Sequence, residues 1–260
     1  MTEINRFIVY ITYYNAINFL NDCLESIYLQ NYKNYKIIIV DDASTDNSES
    51  IIDKFKKDKI LSYTKNKFNI FKLGNVAKAF FDFDLQDEDI LILIDGDDKL
   101  AHNNVLSQLN EIYYYKKVLL TYGSFISSDG KTNFCKQITR EHFFNIRNRD
   151  FFYSHIKTFK YKLFQQILKQ DPDLLCFKDK NGQFYSMTDD VAIMVPLIEI
   201  AGYEKIFYDS RIHYFYRLHN SNDFKKNPNL QNEIKLDILR KQKFKKIDFD
   251  NIVTKKKTWI

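Results

Sequence analysis

The chain has little of what bends or cross-links a backbone: six glycines, three prolines and three cysteines among 260 residues. Cys23, Cys135 and Cys176 are widely spaced, and no C-x-x-C occurs, which argues against a disulfide framework and against a cysteine-held zinc. A reducing, cytoplasmic setting is the expectation. No G-x-G-x-x-G follows the first strand-like run, and no G-x-x-x-x-G-K-[ST] occurs anywhere, so neither a dinucleotide turn nor a P-loop is present. The longest apolar run, Val191 to Ile198, is far too short to span a bilayer. Asn5-Arg6 leads directly into a strand-like run, so no signal peptide is expected. Repeats and linkers rich in Gly, Pro or Ser are also lacking.

What is present fits a globular chain with a real core: 45% hydrophobic residues, 28% charged and a high 16% aromatic. The net charge of +5 is unevenly spread. Residues 224–260 hold eleven Lys/Arg against four Asp/Glu, and the preceding 223 residues hold 28 against 30. This division predicts a main domain over 1–223 and a basic helical extension over 224–260. Such an extension is a solvated helix face, a peripheral contact with a membrane surface, or a nucleic-acid arm. Without any nucleic-acid-binding signature, the last is not expected.

The chain is organised around Ile90-Leu91-Ile92-Leu93-Ile94 and the Asp95-Gly96-Asp97-Asp98 that ends it. Five apolar residues in a row predict a strand buried on both faces. Carboxylates this close repel, and a divalent cation relieves that best, since Mg²⁺ needs only one or two carboxylates plus substrate phosphates. Phe7 to Ile11 and Lys36 to Val40 predict two more buried strands, ending in Thr12-Tyr13-Tyr14-Asn15 and Asp41-Asp42. Helices are predicted between them, from about 17 (Leu20, Cys23, Leu24, Ile27), from an Asp46/Glu49 capping box (Ile51, Ile52, Phe55), and over 72–84. A short strand is predicted at Ile60 to Tyr63. Alternating strands and helices argue for an α/β fold with a mostly parallel sheet, whose ligands bind beyond the carboxyl ends of the strands. The three polar clusters lie at those ends.

The second half is less regular. Leu106, Leu109, Ile112 and Tyr113 mark a helix, and Val118 to Tyr122 and Phe125 to Ser127 predict two strands before a turn at Asp129-Gly130. Residues 140–160 resist assignment. Helices are predicted over Tyr161 to Leu168, from Thr188 to a stop at Gly202, and over about 230–246, with a strand from Ile212 to Leu218.

With these residues in view, the chain resembles the family 2 glycosyltransferases, nucleotide-diphospho-sugar transferases of the GT-A fold. Ile11-Thr12-Tyr13-Tyr14-Asn15 is similar to the family's strand-ending T-x-Y-N. Val40-Asp41-Asp42-Ala43-Ser44-Thr45-Asp46 is similar to its V-D-D-x-S-x-D, and Asp95-Gly96-Asp97 to its D-x-D. Ser154-His155-Ile156-Lys157-Thr158-Phe159-Lys160 looks like a narrower branch.

The resemblance implies a metal-dependent, inverting transferase that moves a sugar from a nucleotide-sugar donor, UDP-linked, to a hydroxyl on a glycan, lipid or protein. It implies that Thr12, Tyr14, Asn15, Asp41 and Asp42 hold the nucleoside and that Asp95 lies near the ribose. Asp97, Asp98 and His219 would ligate Mn²⁺ or Mg²⁺, and His155 and Lys157 would face diphosphate or acceptor. Asp190, in Thr188-Asp189-Asp190, matches the position of the general base; helix capping by Thr188 or Asp189 is the alternative use of that triplet. Two other readings are a nucleotidyltransferase, which would carry a glycine-rich basic loop near the first strand, and a non-catalytic nucleotide-sugar or glycan-binding module.

Overall fold

A computed structural model describes residues 4–55, 61–83, 85–131, 135–220, 222 and 227–250. The first half alternates as the apolar runs dictate: β1 (Phe7–Tyr13), α1 (Leu20–Tyr28), β2 (Tyr35–Asp41), α2 (Glu49–Phe55), β3 (Leu61–Lys65), α3 (Phe71–Asp82), β4 (Ile90–Asp95) and the two-residue β5 (Lys99–Leu100). The second half follows with α4 (Val105–Lys116), β6 (Leu120–Ser127), α5 (Arg140–Phe144), β7 (Lys157–Lys160), α6 (Tyr161–Gln170), α7 (Asp189–Ala201), β8 (Ile206–Tyr216) and α8 (Pro228–Arg240).

One eight-stranded sheet runs β3-β2-β1-β4-β7-β6-β8-β5. The expectation of a mostly parallel sheet holds for β3-β2-β1-β4. Beyond β4 the sheet is mixed, because β7 enters antiparallel between β4 and β6 while β6 and β8 are parallel. The period of two along each strand divides the core. Phe7, Val9, Ile11, Ile37, Ile39, Ile90, Ile92 and Ile94 pack on one side with α1 and α4. Ile8, Tyr10, Ile38, Val40, Leu91 and Leu93 pack on the other with α6 and α7. Strands covered on both faces need apolar residues at every position, which is why these runs do not alternate.

Two expectations are corrected. The strands predicted at 118–122 and 125–127 are one strand, β6, whose pairing with β8 shifts register around Ser124. Gly123 sits where a Cβ would lie 2.6 Å from the carbonyl of Asp209, so only glycine lets the strands approach there. Asp46 and Glu49 do not form a capping box: the Asp46 carboxylate accepts from Ile17 N at 2.8 Å and from Ser48 N at 3.1 Å.

The basic extension is helical over α8 and packs back on the body, with Ile238 and Phe244 buried. The boundary expected at 223/224 lies outside the described residues, as does Ile60 of the third predicted strand. No helix among the described residues is long and apolar enough to cross a membrane.

Candidate active site

The carboxyl ends of β1, β2 and β4 open on a cleft of about 880 Å³. Parallel pairing sets β1 in register between its neighbours, with Thr12 beside Val40 and Asp95, so their loops emerge side by side. Asn15, at φ 53°, ties two of these loops together: its backbone N–H donates to Ser44 Oγ at 2.9 Å, and its Oδ1 accepts from Thr45 N at 2.8 Å.

The two adjacent aspartates after β2 have different uses. Asp41 is fully buried; its Oδ1 accepts from Ser44 N at 2.7 Å and its Oδ2 from Tyr13 OH at 3.1 Å. Asp42 lines the cleft, with its Oδ1 fixed by Asn66 Nδ2 and by Ile70 N, each at 2.9 Å. The second motif is therefore mostly a knot of loop hydrogen bonds, through Asp41, Ser44 and Asp46, that presents Asp42.

Gly96 allows the turn after β4 to press against β1, since a Cβ there would lie 2.5 Å from Tyr13 Cβ. The turn puts Asp95, Asp97 and Asp98 on the cleft wall. Asp98 Oδ1 accepts from Arg217 N at 2.7 Å, which brings the segment after β8 over the turn. There His219 Nε2 meets Asp97 Oδ2 at 2.8 Å. Burial and the neighbouring charges of Asp97 and Asp95 push the Asp98 carboxyl well above the usual carboxylate range. Burial and Asp95 raise Asp97 in the same direction.

Ligand atoms of Asp95, Asp98 and His155 all lie within 4.8 Å of one another. His155 is stacked on Tyr214 at 4.4 Å between ring centres, and its Nδ1 is buried without a hydrogen-bond partner. Burial and the nearby Lys157 hold its pKa down to about 3, which leaves a neutral imidazole. Two carboxylates that repel and one neutral imidazole with an idle nitrogen are a donor set that fits a divalent cation such as Mn²⁺ or Mg²⁺.

The opposite wall is the start of α7. Thr188, at φ 66°, makes no side-chain cap; its hydroxyl donates to the Gln231 carbonyl of α8 at 3.4 Å. Lys72 of α3 bonds to Asp95 Oδ1 and lies 3.1 Å from Asp189 Oδ2, joining the two walls. Antiparallel pairing sets Lys157 beside Leu93, and its ammonium bonds to Asp190 Oδ1. Ser154 Oγ donates to Asp190 Oδ2 at 3.1 Å. Although burial works the other way, Lys157 and Lys72 hold the Asp190 carboxyl well below the usual range. Asp189, by contrast, is raised by burial in spite of Lys72, with Asp190 adding to the rise.

Of the residues singled out in the sequence, Thr12, Tyr14, Asn15, Asp42, Asp95, Asp97, Asp98, His155, Asp190 and His219 share this one cleft. Asp41 and Lys157 do not line it, because both side chains are spent on buried partners. The cluster fit for a cation also differs from the one expected. It takes Asp95 and His155 with Asp98, while Asp97 and His219 face each other. Sequence reasoning missed Lys72, which carries no motif, and the α8 residues Gln231, Asn232 and Lys235, which line the cleft from a stretch read as an appendage.

Comparison with known proteins bears on the family and the fold. An uncharacterized glycosyltransferase of Haemophilus influenzae is 30% identical over 130 residues, covering 48% of this chain and 49% of that protein. The teichoic acid poly(glycerol phosphate) polymerase of Staphylococcus epidermidis is 42% identical over 62 residues, 24% of this chain and 8% of that protein. The chain thus spans half or less of these relatives. Among solved structures, S. aureus TarS 1–349 in complex with UDP-GlcNAc superposes with a TM-score of 0.61 at 15% identity, over 85% of this chain and 61% of that one. The mannosyltransferase PcManGT from Pyrobaculum calidifontis, in complex with GDP-Man and Mn²⁺, gives 0.56 at 16% identity, over 84% and 58%. These likenesses give the fold, the GT-A type with its curled mixed sheet flanked by helices. The sequence profile of glycosyl transferase family 2 matches residues 8–176, nearly all of the chain that builds the β1, β2 and β4 loops and the β7 strand beside them, and the chain belongs to that family.

Proposed function

We propose that the protein transfers a sugar from a nucleotide diphosphate sugar, UDP-linked, to a hydroxyl of a glycan, lipid or protein, in one displacement that inverts the anomeric carbon. The observation that carries this reading is the shared cleft: Asp42, Asp95, Asp98 and Asp190 come from separate strand and helix ends and line one cavity. The UDP-GlcNAc complex of TarS supports a uridine donor.

Thr12, Tyr14 and Asp42 take the nucleoside. Asp42 Oδ1 is already used by Asn66 and Ile70, so a uracil N–H meets Oδ2. Asp95, Asp98 and His155 hold Mn²⁺ or Mg²⁺, with Asp97 and His219 beside them; such a cation stabilises the charge that develops on the leaving diphosphate. Asp190 accepts the proton of the acceptor hydroxyl as its oxygen attacks, and the diphosphate departs with the bonding pair. Lys157 keeps that carboxylate ionised at neutral pH. The acceptor enters between the start of α7 and the α8 residues Gln231, Asn232 and Lys235. The lysines of residues 224–260 supply a contact for an anionic membrane surface, as a lipid-borne acceptor requires; equal flotation with anionic liposomes after their removal ends that part.

The test is a thermal-shift panel of nucleoside diphosphates with and without Mn²⁺, followed by UDP release from UDP-sugars. Stabilisation by UDP above GDP, dependent on the metal, is expected. Equal response to every nucleotide overturns the uridine assignment, and no response to any overturns the reading. Asp190→Asn should abolish UDP release and keep UDP binding; unchanged release returns the chain to a different base or to a binding module.

A further inference from the structure

We propose that Lys157 and Ser154 are positioning residues for Asp190: one donor on each carboxylate oxygen fixes the plane of the base against the incoming hydroxyl. This rests on Asp190 as the base, and it departs from the sequence expectation that Lys157 faces substrate.

Three observations carry it. Lys157 is 0% exposed and is not among the residues that line the cleft, whereas its partner Asp190 is. Its ammonium bonds to Asp190 Oδ1, while Ser154 Oγ reaches Oδ2 at 3.1 Å. Both donors come from one short segment, whose Lys157 end is held where β7 pairs with β4 at Leu93. A buried lysine is costly unless a carboxylate compensates it, and Asp190 is that carboxylate.

A carboxylate gripped at one oxygen can still turn about its Cβ–Cγ bond. Gripped at both, it keeps its remaining lone pairs in a set direction. In the displacement, the acceptor O–H bond breaks toward one of those lone pairs as the oxygen bonds to the anomeric carbon and the sugar–diphosphate bond breaks. Misplacement of about 1 Å in such a geometry costs on the order of 100-fold in rate. The nucleoside contacts proposed for Thr12, Tyr14 and Asp42 lie at the ends of β1 and β2 and do not involve Lys157 or Ser154.

The experiment measures kcat and KM for UDP release from UDP-glucose, UDP-galactose and UDP-GlcNAc with Mn²⁺, and UDP affinity by calorimetry, for the full chain and for Lys157→Met, Lys157→Arg, Ser154→Ala and Asp190→Asn. For Lys157→Met the expected result is a kcat about 100-fold lower, with donor KM and UDP affinity held within a factor of about two. Ser154→Ala falls several-fold in the same parameter, and Lys157→Arg recovers part of the loss. Weaker UDP binding with kcat retained means that Lys157 serves the donor, and overturns the proposal. So does an unchanged kcat in Lys157→Met or Ser154→Ala. Should Lys157→Met fail to fold, Ser154→Ala and Lys157→Arg decide by the same split. If Asp190→Asn keeps full turnover, the base assignment itself falls, an outcome separate from any result at Lys157.

Discussion

His219 Nε2 lies 2.8 Å from Asp97 Oδ2, and its ring stacks on Phe19 at 4.9 Å between centres. Chain segments far apart in sequence thus meet at the turn after β4. Asp97 is the second aspartate of the D-x-D, yet the tight cluster of ligand atoms is Asp95, Asp98 and His155. On the proposed function, His219 orients Asp97 beside the Asp95, Asp98 and His155 cluster. His219→Ala should raise the half-saturating Mn²⁺ concentration for UDP release by about 10- to 100-fold, the usual effect of losing an orienting partner. Asp97→Asn should do at least as much, because it removes charge as well as direction. A Mn²⁺ titration of turnover reads both, and an Asp97→Asn enzyme with unaltered turnover and Mn²⁺ response would remove Asp97 from the site.

Lys72 holds Asp95 and Asp189 on one ammonium, although nothing in its sequence surroundings announces the role. Its charge is maintained in spite of burial, because Asp189 and Asp95 raise its pKa well above the ordinary value. Lys72→Met leaves the partly buried carboxylates of Asp95 and Asp189 without their shared cation and should lower stability. The melting temperature in EDTA should fall, and added Mn²⁺ should recover part of the difference by neutralising Asp95. An identical loss with and without Mn²⁺ would mean that Lys72 acts away from the cation site.

Acid should weaken the β6–β8 seam through Asp209. His213 Nε2 lies 2.6 Å from its Oδ2, and Arg211 Nη2 lies 2.8 Å from the same oxygen. Burial opposes ionisation, but the bonds to His213 and Arg211 hold the Asp209 carboxyl well below the usual range. A depressed carboxylate pKa stabilises the fold fully above the unfolded value, about 3.9, and the contribution is lost as pH falls through the folded value. Urea midpoints of the native protein and of Asp209→Asn should keep a constant difference from pH 7 to about pH 4 and draw together as the pH falls from there toward the folded value. Parallel curves would show that this pair does not set acid stability.

What the sequence reveals depends on how locally each feature is determined. β1, β2 and β4 are legible because strands buried on both faces must be apolar throughout, and their acidic ends follow directly. Asp42 and Asp190 are found by motif, and both reach the cleft. β7 is missed because it is four residues long, half of them lysine, and it is a strand only because β4 and β6 offer edges on either side. β6 reads as two strands because Gly123 and Ser124 interrupt the apolar pattern, whereas the glycine is what admits the close contact with β8. That His155 comes within reach of Asp95 and Asp98 while His219 meets Asp97 is equally hidden, since both histidines are near carboxylates only after folding.

The last residues described are bound to the body by Arg147, which a reading of 224–260 as an appendage would not anticipate. Its Nε and Nη2 bond both oxygens of the buried Glu199 at 2.7 and 2.9 Å. Its Nη1 donates to the carbonyls of Ile238 at 3.2 Å and Lys241 at 3.1 Å, satisfying acceptors at the end of α8 that the helix itself leaves open. Glu199 Oε2 also accepts from Phe244 N at 2.9 Å. One guanidinium thus joins the last turn of α7 to the end of α8, the helix whose first turns line the cleft. Arg147→Met strands a buried carboxylate and should destabilise the protein by about 3–5 kcal/mol. It should also expose residues 227–250 to limited proteolysis before the rest of the chain unfolds. Because α8 carries Gln231, Asn232 and Lys235, the same variant should lose transfer to acceptors more than it loses UDP binding. Cleavage that appears only with global unfolding, at an unchanged melting temperature, would show that α8 is held by its apolar face alone.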